Sequence, residues 1–120
     1  MNLATSMTAA VTLVLTLALP VAAEPQQGKA LYDIYCTQCH GVNGDGKGVN
    51  VPAMSVQPRN HTDRGEMSAR TDEELFKAIK HGGKSINKSV LMPAWGGNLS
   101  DDDIDALVSY LRELCCGNGG

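Results

Sequence analysis

Cys36-Thr37-Gln38-Cys39-His40 constrains this chain more than any other feature, because it gathers two thiols and an imidazole into one short run. Thiols at C-x-x-C spacing can each add to a vinyl group of a haem and form thioethers. The adjacent His then lies under the iron and coordinates it through Nε2. Two other uses of such a pair fit less well. A thioredoxin-type redox pair needs a βαβ setting, and no strand pattern of any length is present. A structural zinc site needs four ligands, commonly as two spaced pairs. The remaining cysteines, Cys115 and Cys116, are adjacent and make a poor second pair. The motif predicts one covalent haem c, held by Cys36 and Cys39, with His40 on the iron.

A single domain is what 120 residues allow. Aromatic side chains make up only 4% of them, so the chain has few large groups with which to build a core. A buried ring system would make up that deficit.

Residues 1–23 carry no Lys, Arg, Asp or Glu, so every charged side chain lies downstream. An apolar stretch over 9–19 is followed by Pro20 and by Val21-Ala22-Ala23. This is the pattern of a secretory signal peptide with cleavage after Ala23, although its start lacks a Lys or Arg. The apolar run is shorter than the ~20 residues that span a bilayer. The reading is therefore a signal peptide over 1–23 and a domain over 24–120. The mature chain is expected to be periplasmic and to have no transmembrane segment.

Three helices are predicted. The first covers 25–35, with Ala30, Leu31, Ile34 and Tyr35 at helical spacing. The second opens at Thr71 with Glu74 three residues on, a capping-box pattern, and stops at Gly82-Gly83. The third opens at Ser100 with Asp103 in the reciprocal position, and Asp101 and Asp102 suit the positive end of the helix dipole. Its stripe of Ile104, Leu107, Val108, Leu111 and Leu114 ends at Gly117. The fold reads as all-α. The stretch 41–70 is left as a long loop, whose length calls for a reason such as wrapping a cofactor.

A six-coordinate iron needs a second axial ligand, and Met92 is the choice. Thioether sulfur favours ferrous iron and raises the reduction potential. Pro93 keeps the backbone at Met92 out of the helical region. Of the rivals, Met54 lies in the long loop, where it could cover the haem edge. Met67 sits in a polar stretch with little apolar support. His81 ends the second helix, where it suits the dipole. His61, between Asn60 and Thr62, reads as an exposed loop histidine.

With these residues assembled, the chain resembles a class I c-type cytochrome of the bacterial single-haem kind. Gly28, Tyr32 and Cys36 match the family's four-residue spacing along the N-terminal helix. Leu107 and Tyr110 match the pair with which its C-terminal helix crosses the first. The resemblance implies a cytochrome c fold and a Pro carbonyl that accepts a hydrogen bond from His40 Nδ1. Pro52 is the first candidate for that role and Pro58 the second. Met92-Pro93-Ala94-Trp95 is similar to the distal Met-Pro-aromatic loop. The resemblance also suggests that Trp95 packs at the haem edge or donates to a propionate, and that Arg59 pairs with a propionate. For both, ordinary packing and solvation stay open.

The resemblance implies one-electron carriage between periplasmic or membrane redox enzymes, with no enzymatic activity and no nucleic-acid partner. Two alternatives remain. One is a haem-bearing subunit of a larger oxidase or dehydrogenase; the other is a haem enzyme with a labile distal ligand. Lys77, Lys80, Lys84 and Lys88 form a loose basic group able to steer an acidic redox partner, or simply a solvated face. Cys115 and Cys116 lie outside the family pattern. They either bridge each other or link two chains into a disulfide dimer.

Overall fold

The computed structural model describes residues 24–117, so the expected signal peptide lies outside the described residues. Five helices are present, with no strand among the described residues: α1 (Glu24–Tyr35), α2 (Thr37–His40), α3 (Arg64–Ser68), α4 (Asp72–His81) and α5 (Asp101–Cys116). Short 3₁₀ turns cover Val51–Ala53 and Gly83–Ile86. The architecture is all-α, as predicted. No described helix is long and apolar enough to cross a membrane.

The two long C-terminal helices start where local chemistry dictates. Glu74 N donates to Thr71 Oγ1 at 3.1 Å, and Thr71 N donates back to Glu74 Oε2 at 2.8 Å. Ser100 and Asp103 make the same reciprocal pair at the head of α5, at 3.2 and 3.0 Å. Each pair satisfies amides that would otherwise lack partners. At its far end α4 stops at Gly82, whose φ of +80° suits a residue without a β-carbon.

α1 crosses α5 at Gly28, against the Ala106 backbone and Tyr110 Cβ. Next to this contact Tyr32 and Tyr110 meet edge to face, with centroids 5.3 Å apart. Tyr32, Ile104 and Leu107 are fully buried there. The crossing anchors the C-terminal end of α1, and so the cysteine motif that follows it.

The 41–70 stretch is not the structureless loop expected from the sequence. It contains the first 3₁₀ turn and α3, whose N-cap Asp63 accepts from Glu66 N at 2.9 Å. Met67 was expected to lack apolar support, yet it is fully buried among core side chains. Arg112 of α5 holds this region from the other side. Its guanidinium donates to Met67 O at 2.8 Å, to Arg70 O at 2.6 Å and to Asp72 Oδ1 at 2.6 Å. Arg112 thereby supplies a donor to Arg70 O just past the end of α3 and adds one to Met67 O, which already accepts from backbone N–H groups.

Cys115 and Cys116 are bonded to each other. The intramolecular bond uses both thiols, so the disulfide-linked dimer is not supported.

Candidate functional site

The motif is built on a single turn. His40 N donates to Cys36 O at 2.9 Å and Cys39 N donates to the same carbonyl at 3.2 Å. Positions i, i+3 and i+4 of such a turn share a face. Cys36, Cys39 and His40 accordingly all line one cavity, and both thiols are free. Burial, and then the neighbouring Cys39, pushes the Cys36 thiol up to about 12, so it is protonated at neutral pH.

Beyond His40 the chain folds back under the motif. Gly46 N donates to His40 O at 2.7 Å, Gly48 N to Cys39 O at 3.1 Å and Asn50 N to Gln38 O at 2.9 Å. At Gly48 a β-carbon would collide with the Gln38 backbone, so a side chain there would push the loop off α2. His61 N then donates to Gly44 O at 2.7 Å, which brings the 58–61 segment beside His40.

His40 Nδ1 donates to the Arg59 carbonyl at 3.0 Å. A carbonyl can only accept, so this bond places the proton on Nδ1 and leaves Nε2 bare for a metal. The acceptor is neither Pro52 nor Pro58. Pro52 sits exposed in the first 3₁₀ turn and is not part of the cavity wall. Only after the chain returns at 58–61 does a carbonyl reach the imidazole. Pro58 lines the cavity one residue before the acceptor. Burial, more than any other influence, lowers the His40 pKa and favours the neutral ring that a metal needs.

His61 is buried, contrary to the expected exposed loop residue. Its ring stacks on that of His40, with centroids 4.1 Å apart and planes 19° apart. Its Nδ1 shares a hydrogen bond of 2.9 Å with the Tyr32 hydroxyl. Burial, then the repulsion that a second charge would meet beside His40 and Arg59, holds its pKa well below the ordinary value, so this ring too is neutral. The sequence holds one signal for His61: a core tyrosine hydroxyl requires a partner.

Met92 lines the same cavity. Its segment is tied to the end of α4: Gly83 N donates to Met92 O at 3.0 Å, Trp95 N to Ile79 O at 2.9 Å and Gly96 N to Lys80 O at 3.0 Å. A β-carbon on Gly82 would approach Met92 O at 2.9 Å, so the chain packs closely here. Trp95 reaches the cavity and lies against Tyr35, centroids 5.1 Å apart. Arg59 also lines it, with its guanidinium donating to Glu66 Oε2 at 2.6 Å. Met54 is on the wall; Met67 and His81 are not. Of the basic group, Lys80 is engaged with Asp101 at 2.7 Å, while Lys77, Lys84 and Lys88 are exposed.

The cavity measures about 940 Å³ and takes apolar walls from Leu75, Ile79, Leu107 and Leu111. That volume lies within the ~300–1,000 Å³ usual for cofactor sites. Two free thiols, an imidazole with a bare Nε2 and a thioether open onto it. The donor set and the walls fit a haem.

The family model for cytochrome c oxidase, cbb3-type, subunit III, matches residues 23–111, and the chain belongs to this family of c-type cytochrome domains. As a cytochrome c domain it is an electron carrier, and its cofactor is haem c. It is 31% identical over 96 residues to the cbb3-type cytochrome c oxidase subunit CcoP of Azospirillum brasilense, covering 78% of this chain and 29% of that one. It is 30% identical over 90 residues to the quinohemoprotein alcohol dehydrogenase of Comamonas testosteroni, covering 75% of this chain and 11% of that one. The chain thus spans less than a third of the length of either curated relative. Among solved structures, the reducing HAO-like protein complex Kustc0457/Kustc0458 of Kuenenia stuttgartiensis superposes with a TM-score of 0.61 at 29% identity, over 75% of this chain and 42% of that one. The KustC0563 c-type cytochrome shares the fold, with a TM-score of 0.60 at 24% identity over 73% of this chain and 96% of that one.

Proposed function

We propose that this chain carries one haem c, bound by thioethers to Cys36 and Cys39, with His40 Nε2 and Met92 Sδ as axial ligands. The observation that carries this reading is the convergence of those four side chains on one apolar cavity while His40 Nδ1 is committed to the Arg59 carbonyl. When bound, the haem supplies one-electron chemistry by cycling its iron between ferric and ferrous states. The protein's part is to hold its ligands still. His40 is oriented by a backbone acceptor, which also raises its basicity. Met92 is held by backbone bonds to the end of α4, and its soft sulfur favours the ferrous state. Trp95 and Arg59, both on the cavity wall, would meet the edge or a propionate of a bound haem. Leu75, Ile79, Leu107 and Leu111 keep water from the ring.

In this reading the chain is an electron shuttle rather than an enzyme, since the Met92 segment, tied by backbone bonds to the end of α4, would keep the thioether on a bound haem. Residues 1–23, in the same reading, direct export and are removed after Ala23, on the strength of their charge-free apolar run and the small residues at 21–23. The domain then works in the periplasm, where exposed Lys77, Lys84 and Lys88 offer a basic face to an acidic redox partner. A second reading is a subunit of a larger oxidase or dehydrogenase complex. It is favoured by the two curated relatives, in which the matching region is a minor part of a longer chain.

Mass spectrometry of the denatured, exported protein tests the attachment. A mass higher by one haem, with sequencing that starts at Glu24, is expected. A chain that releases its haem on denaturation would overturn the covalent assignment.

A further inference from the structure

His61 is buried with 8% of its surface exposed, and its environment is built rather than incidental. Its backbone N–H donates to Gly44 O at 2.7 Å. Its Nδ1 meets the hydroxyl of Tyr32, a residue 1% exposed at the α1–α5 crossing. Its face lies on His40, centroids 4.1 Å apart and planes 19° apart. One polar atom of a core helix therefore sets the rotamer of a ring that stacks on the motif histidine.

The hydrogen bond from His40 Nδ1 to Arg59 O fixes one edge of the imidazole but only loosely fixes its plane. Acceptor geometry at a carbonyl is broad, and the outer torsion of a histidine has no sharp staggered wells. A second flat ring against its face removes that remaining freedom. An aliphatic side chain would fill the same space without imposing a plane. A histidine in this position must find a hydrogen-bond partner or carry the cost of a buried unpaired nitrogen, and Tyr32 is that partner.

We propose that His61 is a positioning residue that sets the plane of the His40 imidazole, with Tyr32 holding His61 in register. The proposal rests on the reading of His40 as an axial ligand. It makes the α1–α5 crossing, through Tyr32 and His61, the element that orients the proximal ring.

The test uses the ferric holoprotein and variants His61→Ala, His61→Phe and Tyr32→Phe, read by the paramagnetically shifted haem-methyl proton resonances. Their pattern follows the orientation of the axial ligand planes, which a merely structural role would not move. His61→Ala is expected to redistribute the methyl shifts, His61→Phe to bring them back toward wild type, and Tyr32→Phe to move them in the same sense as His61→Ala. A wild-type pattern in His61→Ala overturns the proposal. Where His61→Ala yields no holoprotein, Tyr32→Phe decides: a moved pattern supports the proposal and an unchanged one overturns it. Failure of the underlying ligand assignment is distinct. It would show in the wild-type protein, as absence of the strongly shifted resonances of an iron-bound imidazole.

Discussion

Gly28 and Ala106 bring the backbones of α1 and α5 into direct contact, since a β-carbon on Gly28 would overlap the Ala106 carbonyl and stand 2.8 Å from Tyr110 Cβ. The helix that ends in the cysteine motif is seated by this contact. Backbone cannot move aside as a side-chain tip can. The substitution Gly28→Ala gains about 1 kcal/mol of helix propensity, but overpacking against a fixed neighbour costs about 3 kcal/mol. A net loss of about 2 kcal/mol is expected, lowering the Tm of the holoprotein by roughly 10 °C. An unchanged or higher Tm would contradict the close crossing.

Arg112 joins three segments through its bonds to Met67 O, Arg70 O and Asp72 Oδ1. Removing it takes the guanidinium donors from Arg70 O and Asp72 Oδ1 and leaves Met67 O with backbone donors alone. Because the side chain is 27% exposed, water offsets part of the loss. Arg112→Ala is expected to lose about 2 kcal/mol of stability. Amide exchange should accelerate over 64–72 and not over α1. Arg112→Lys should recover little, since a single ammonium cannot reproduce the fork.

The head of α5 should make the protein acid-sensitive in one direction. The hydrogen bond from the Ser100 hydroxyl is the main cause that lowers the Asp103 pKa from its ordinary 3.8. A depressed carboxylate binds fewer protons folded than unfolded, so it stabilises the fold above that ordinary value. The contribution is lost as pH falls through the folded value. Denaturation midpoints measured from neutral pH downward should fall more steeply in wild type than in Ser100→Ala. Equal slopes would count against the cap.

The three helices α1, α4 and α5 were legible because their signals are local, whereas α2 and α3 were not foreseen. Thr71 with Glu74, Ser100 with Asp103, and the spacing of Leu107 and Leu111 each declare themselves within a turn or two. The cysteine motif is local in the same way. The 41–70 stretch was not legible, because long-range bonds shape it: His61 N to Gly44 O, and Arg112 to Met67 and Arg70. The choice of Arg59 over Pro52 as acceptor for His40 follows from the same return of the chain. His61 looked like a surface residue for the same reason, since its polar neighbours in sequence are not its neighbours in space.

The ligand pair of His40 and Met92 is tested most directly by absorption spectra of the oxidised and reduced holoprotein, alongside Met92→Ala. A low-spin c-type spectrum is expected, with the weak red-region band of sulfur–iron ligation in the ferric form. Met92→Ala should lose that band, bind cyanide rapidly and show a lower reduction potential. A low-spin wild-type spectrum without the band, or a band that survives Met92→Ala, would contradict the assignment.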